Sequence, residues 1–254
     1  MVRKADLVTL SSASTTTLAL GLAVEGHITL AIRLLFLSYT LDVVDGIVAR
    51  YEGPTREGFL LDRAVDRYSQ VVAPSLLLLS LTGASPPYIA YAMLLVPLGF
   101  YRLVYRQVHG REYFSGLPFI AHALYILFTI VSGGTPHPIP LLLLLAATAA
   151  PIPYYRRPLR GRATDSTFKY RQLLYDVARI SFMTLFIITP YNWLVRALAQ
   201  LLAYTILLYT LTGYIPVIVA KKHTITTRKQ SHKTNNMNIN NINDLVATEP
   251  RGNR

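Results

Sequence analysis

Asp42-Val43-Val44-Asp45-Gly46-Ile47-Val48-Ala49-Arg50, followed after a short polar break by Gly58-Phe59-Leu60-Leu61-Asp62-Arg63-Ala64-Val65-Asp66, is the stretch that decides the fold. Its four aspartates stand inside two apolar segments, His27 to Arg50 and Gly58 to Leu81. Each segment is long enough to cross a hydrocarbon core, which takes about 20 helical residues. A carboxylate at such depth is costly unless paired or solvated, so it marks function. Asp42 and Asp45, three apart, share a face of one helix, and Asp62 and Asp66, four apart, share a face of the next. Counted from Arg50 and Gly58 at about 1.5 Å per residue, Asp42 and Asp66 lie roughly 12 Å deep. Asp45 and Asp62 lie roughly 6–8 Å deep on the same count. An antiparallel hairpin of the two helices therefore predicts two pairs of carboxylates at two matching levels. Four charges at that density need neutralising. Two divalent cations would balance them, and all-oxygen ligands suit Mg²⁺, Mn²⁺ or Ca²⁺.

The surrounding sequence has the composition of a membrane protein. Of 254 residues, 52% are apolar and only 15% charged, against about a quarter charged in soluble domains. Mean hydropathy is +0.36. The absence of cysteine excludes disulfides and thiolate metal sites. The net charge of +12 is read as attraction to anionic lipid rather than to nucleic acid, because basic residues collect on the cytoplasmic side of membrane proteins. Six further apolar segments run Leu7 to Val24, Pro86 to Val108, Leu117 to Val131, Pro138 to Pro153, Gln172 to Thr189 and Trp193 to Ala220. The first is interrupted by Ser11, Ser12 and Ser14 to Thr17, a poor signal-peptide core, and is predicted to be a retained membrane helix. The segments from Leu117 and from Pro138 are short and predict a tilted or re-entrant pair.

Loop charge sets the topology. The connections Glu25 to Gly26, Thr82 to Ser85, Ser132 to His137 and Pro190 to Asn192 contain no Lys or Arg. The alternate ones carry Arg50 and Arg56, Arg106 and Arg111, Arg156 to Arg171, and Lys221 onward. The reading is an all-α bundle of about eight transmembrane helices with both termini cytoplasmic. Residues 1–220 form the membrane domain, and 221–254 a basic, Asn-rich, disordered cytoplasmic tail.

Asp42-x2-Asp45-Gly46-x2-Ala49-Arg50-x7-Gly58-x3-Asp62-x3-Asp66 resembles the signature of the CDP-alcohol phosphotransferases. The resemblance implies a homodimeric membrane enzyme with a dinuclear site facing the cytoplasm. In it Asp42, Asp45, Asp62 and Asp66 hold the metals, and Asp66 takes the proton from the acceptor hydroxyl. Asp42, Gly46, Ala49, Arg50, Gly58 and Asp62 would line the CDP site, with Thr9 touching the donor phosphates. Glycine and alanine there are read as room for a flat base and a diphosphate against bare backbone. Tyr113 to Pro118 and Pro151 to Tyr154 resemble short segments of the serine-using branch, the phosphatidylserine and archaetidylserine synthases. That branch implies transfer of a lipid-phosphoryl group from CDP-diacylglycerol or CDP-archaeol to L-serine, with release of CMP.

Arg106 and Arg111 are candidates to hold the serine carboxylate. Inositol phosphate or glycerol phosphate is the rival acceptor, since a dianionic phosphate favours several cations in a cluster. Intramembrane prenyltransferases and transporters with buried acids are more distant rivals. Asp176 and Arg179 are predicted to form an i,i+3 pair, and Arg33 and Arg196 to snorkel. Arg63 and Arg67 follow the aspartates by one position and are predicted to point aside from them, either snorkelling to water or touching phosphate, and His122 is predicted to be packing. Glu52 and Glu57 are read as ordinary loop acids.

Overall fold

The computed structural model describes residues 3–53, 55–104, 113–155 and 166–215. In order these form α1 (Lys4–Val24), α2 (Ile28–Glu52), α3 (Arg56–Arg67), a π turn (Tyr68–Val72), α4 (Ala73–Leu81) and α5 (Pro86–Val104). There follow β1 (Tyr113–Ser115), α6 (Phe119–Val131), α7 (Pro138–Ala149), β2 (Pro153–Tyr155), α8 (Ser166–Ile188) and α9 (Trp193–Thr212). Among the described residues, the elements are helical apart from one ribbon of three residues a strand, and each apolar segment is helical over most of its described length. Contacts divide the chain into Met1–Gly213 and Tyr214–Arg254, and all these elements belong to the first unit.

Among the described residues, two helices, α1 and α9, are long and apolar enough to cross a membrane. The longer α2 carries Arg33, Asp42, Asp45 and Arg50, which lower its hydropathy. At about 1.5 Å per residue, the 13 residues of α6 and 12 of α7 extend only part-way across a core of about 30 Å. Large apolar side chains such as Leu10 and Leu18 on α1, and Leu201 and Leu208 on α9, point outward.

The hydroxyl belt of α1 is its interface. Ala5, Thr9, Ser12, Thr16, Ala19 and Ala23 recur at three- and four-residue spacing and are all buried, so small residues let α1 and α2 approach closely. Ser12 and Thr16 both reach the Ser38 hydroxyl of α2, at 2.8 and 2.7 Å. The outward Ser11, Ser14, Thr15 and Thr17 instead donate to carbonyls four residues back. Glu52 is more than a loop acid: its carboxylate accepts from the Lys4 and Ala5 amides at 3.2 and 3.1 Å. It thus satisfies two orphan donors at the start of α1. The chain leaves α2 through Gly53 at φ +88°. It enters α3 at Thr55, whose hydroxyl accepts from the Gly58 amide.

Between α3 and α4 the helix does not break but widens. Pro74 has no N–H, so the α-type bond to the Gln70 carbonyl cannot form. One residue earlier, the Ala73 amide reaches back five positions to Tyr68. That releases the Ser69 carbonyl, which accepts instead from the Tyr39 hydroxyl of α2 at 3.0 Å.

Farther along, Phe36 of α2, Phe128 of α6 and Phe186 of α8 form a buried aromatic cluster, with ring centroids 5.0 to 5.8 Å apart. His122 is fully buried and bridges the Tyr91 hydroxyl at 2.6 Å and the Thr148 hydroxyl at 2.7 Å, tying α5, α6 and α7. It is packing, as expected, but polar packing. Arg33 and Arg196, near the outer helix ends, hold the Pro190 to Asn192 connection. Arg33 donates to the Thr189 carbonyl and lies over the Tyr191 ring, and Arg196 donates to the Tyr191 carbonyl.

The two segments flanking α6 and α7 pair with each other: β1 runs antiparallel to β2, with Phe114 opposite Tyr154. Gly116 closes this ribbon at φ +75°, donating to the Ile152 carbonyl at 2.7 Å. A Cβ there would lie 2.9 Å from the Ala150 carbonyl oxygen and would also crowd that of Thr148. Gly26 has a similar φ of +85° with open space around it. Both alanine substitutions carry left-handed strain of roughly 1–2 kcal/mol, and only Gly116→Ala adds a backbone clash. In detergent, Gly116→Ala is expected to lower the unfolding midpoint clearly more than Gly26→Ala. Equal shifts would show that the ribbon tolerates the extra carbon.

Candidate active site

Asp42, Asp62 and Asp66 each offer a carboxylate oxygen within 4.8 Å of the others. Asp42 and Asp66 thus face one another from α2 and α3, as equal depth on antiparallel helices predicts. Asp62 joins them, and Asp45 does not. Three residues advance an α-helix by about 300°, so Asp45 is turned about 60° from Asp42. That turn takes it toward α1, where its carboxylate accepts from the Thr9 hydroxyl at 2.6 Å. Asp42, Asp62 and Asp66 thus form a trio with Asp45 beside it. Asp45 is also the most buried acid of the four, 4% exposed.

Two cavities meet at Asp62. The smaller, about 160 Å³, is lined by Thr9, Asp45, Gly46, Ala49, Gly58 and Asp62, with Arg3 and Asp6 among its other walls. Asp45 and Ala49 are one helical turn apart on α2, as are Gly58 and Asp62 on α3, so α1, α2 and α3 converge on one hollow. Gly58 is not bare backbone facing empty space. The Arg3 guanidinium lies against it, paired with Asp6 at 2.9 Å. A Cβ at position 58 would sit 3.1 Å from both Arg3 Cζ and Asp6 Oδ1. Glycine at 58 therefore makes room for this pair. At Gly46 the atom nearest to an added Cβ would be Arg50 Nη1 at 3.6 Å, an ordinary contact.

The larger cavity, about 600 Å³, is lined by Asp42, Asp62 and Asp66 together with Arg63, Arg67, Arg102 and Arg179. Of the two alternatives for Arg63 and Arg67, the structure favours a place beside the phosphates: both face this space. Arg63 lies over the Phe59 ring with 3.9 Å from Cζ to centroid. Arg67 and Arg102 lie over the Phe119 ring at 5.0 and 4.9 Å. The Arg67 side chain is buried and its Nε has no hydrogen-bond partner. Arg102 also donates to the Leu117 and Thr148 carbonyls, whereas stacking leaves the edge of the Arg67 guanidinium toward an anion in the cavity. Pro118 and Phe119 complete the wall, so the Phe-Ser-Gly-Leu-Pro segment ends at this cavity.

The structure does not bring Arg50 to either cavity. Its guanidinium pairs with Asp176 of α8. The expected Asp176–Arg179 pair is therefore corrected: Arg179 turns to the large cavity and stacks on Tyr175 at 5.8 Å. A contact 126 residues apart gives no periodic signal in sequence. Arg106 and Arg111 lie outside the described residues, as do Arg156 to Arg162 and the tail. Gln70 is the residue that sequence reasoning missed. Its amide donates to Asp66 Oδ1 at 2.6 Å, and it lines the same cavity. Its i,i+4 spacing from Asp66 and its place before Pro74 were the available signals.

Chemically, an oxygen-only trio of this span fits a hard divalent cation. The sequence profile of the CDP-alcohol phosphatidyltransferases matches residues 3–152, more than half of the chain and the whole of both cavities' α1 to α3 walls. No curated protein matches the chain. Enzymes of this kind transfer a phosphatidyl group from a CDP-alcohol to an acceptor, a step of phospholipid synthesis, and generally use a divalent metal. The aspartate trio, the hollow between the first three helices and the matched profile make this chain a member of the CDP-alcohol phosphatidyltransferase family.

Proposed function

We propose that the chain is a multi-pass membrane enzyme that moves a lipid-phosphoryl group from a CDP-linked lipid to the hydroxyl of L-serine. Eight helical segments would span or enter the bilayer, with both termini and the site on the cytoplasmic side. Two copies would form a homodimer, and residues 221–254 would extend from the catalytic domain without contributing to chemistry. Family membership sets aside the prenyltransferase and transporter readings.

One observation carries the mechanism: Asp62 lines both cavities. The small hollow is assigned to the CMP half of the donor, with Thr9, Gly46 and Ala49 around it, and the Arg3 side chain against Gly58 shifts to admit it. The large one suits the acceptor. The phosphoanhydride then lies at Asp62, between the two. Asp42, Asp45, Asp62 and Asp66 are the residues that would hold Mg²⁺ or Mn²⁺. Bound there, such ions would supply positive charge to the diphosphate and to the departing CMP. Asp66 accepts the proton of the acceptor hydroxyl as its oxygen bonds to the lipid-linked phosphorus. The phosphoanhydride P–O bond breaks, and CMP leaves with the electron pair. Stripping divalent ions with EDTA is expected to stop CMP release, and Mg²⁺ or Mn²⁺ to restore it. Asp66→Asn is expected to abolish turnover while the protein stays folded and binds CDP-lipid. Full activity after exhaustive chelation, or in Asp66→Asn, would overturn this mechanism.

Serine is supported by the pairing of β1 with β2, since these are the two segments that resemble the serine-using branch, and by the arrival of Pro118 and Phe119 at the acceptor cavity. A second reading rests on a separate observation. Four guanidinium groups line that cavity, more than the single carboxylate of a zwitterion requires and well matched to a phosphorylated polyol. The deciding assay measures CMP release from one CDP-lipid with serine, inositol phosphate or glycerol 3-phosphate supplied separately. Serine is expected to be turned over. Inert serine beside an active phosphorylated polyol would replace the acceptor and leave the family chemistry in place.

A further inference from the structure

We propose that Gln70 is a positioning residue for Asp66, fixing the carboxylate so that one oxygen is committed and the other is left for chemistry. The proposal rests on the reading of Asp66 as metal ligand and proton acceptor. A carboxylate turns about a broad, roughly two-fold terminal torsion. One that must face a cation and an incoming hydroxyl at once needs an outer partner to hold it, as ligating groups at metal sites do. The Gln70 amide supplies that partner at 2.6 Å from Oδ1. An ionised carboxylate only accepts, so the nitrogen of the amide must face Asp66, and Gln70 Oε1 is left for another donor.

Gln70 is itself held by the backbone around it. It stands at the centre of the π turn that Pro74 imposes. The Tyr39 hydroxyl fixes the carbonyl of its neighbour Ser69 at 3.0 Å, and the Ser69 hydroxyl donates to the Asp66 carbonyl at 3.4 Å. Tyr39 and Gln70 both line the large cavity. The widened turn is thereby stitched to α2 on one side and to Asp66 on the other. Asp42 faces Asp66 across the same gap, with carboxylate oxygens within 4.8 Å. Without a donor on Oδ1, the two carboxylates would be free to turn away from each other and lose the shared geometry.

The test uses the full chain in detergent, stripped with EDTA and titrated with Mn²⁺ alone, the free ion being followed by electron paramagnetic resonance. Wild type, Gln70→Met and Asp66→Asn are compared, and kcat and KM for CDP-lipid are measured on reconstitution. Gln70→Met keeps the length and removes the donor. It is expected to weaken Mn²⁺ binding and lower kcat, each by roughly 10–100-fold, with little change in KM or in the unfolding midpoint. Should Gln70→Met lower the midpoint, Gln70→Asn, which keeps the amide but cannot reach, is expected to show the same loss of Mn²⁺ affinity. Wild-type Mn²⁺ affinity and kcat without the amide, alongside loss of both in Asp66→Asn, would overturn the role of Gln70 and leave that of Asp66 standing. Unchanged Mn²⁺ binding and turnover in Asp66→Asn itself would overturn the reading on which the proposal rests.

Discussion

Three carboxylates brought within 4.8 Å of one another are the constraint from which the rest of the structure follows. Two unit negative charges at that distance repel by roughly 3–4 kcal/mol even at an effective dielectric of 20. Three such groups on two helices that are otherwise apolar push those helices apart unless something positive lies between them or a rigid frame holds them. The fold supplies the frame. α1 lies along α2 through small and hydroxylated residues, Glu52 ties the start of α1 to the end of α2, and Tyr39 binds α2 to the widened turn that follows α3. The aromatic cluster of Phe36, Phe128 and Phe186 anchors the far end of α2.

That frame also separates two kinds of space. On the side of α1 the walls are small residues and the hollow is narrow. On the side of α5, α6 and α8 the walls carry stacked guanidinium groups and the cavity is wide. Asp62 belongs to both. A donor with a flat nucleotide head and an acceptor with polar groups can therefore approach the same carboxylate from opposite directions. Proximity of this kind lowers the barrier by converting an encounter between two molecules into a step within one complex.

The helix-forming segments and the convergence of α2 and α3 were legible in sequence, because apolar runs and i,i+3 or i,i+4 acids are local, periodic signals. The trio was legible only as part of a foursome. Depth along a helix is counted from residue number, but the angular offset of Asp45 matters only once α1 and Thr9 are in place. Glu52 and the Arg50–Asp176 pair act across elements, where periodicity carries no information, and the i,i+4 spacing of Gln70 from Asp66 gains meaning only once the turn before Pro74 is seen to widen. Arg63 and Arg67 follow the aspartates by one position, which on a lone helix turns them about 100° away. The cavity is wide enough, and arginine long enough, for both to reach its wall. The pairing of β1 with β2 joins segments some forty residues apart, and their resemblance to one branch of a family did not imply that they touch.

Anomalous scattering from crystals grown with Mn²⁺ and CDP tests the central claim most directly. One peak is expected among Asp42, Asp62 and Asp66, and a second between Asp62 and Asp45, with the CDP diphosphate touching both. A map with manganese elsewhere on the protein and none at Asp62 would contradict the account.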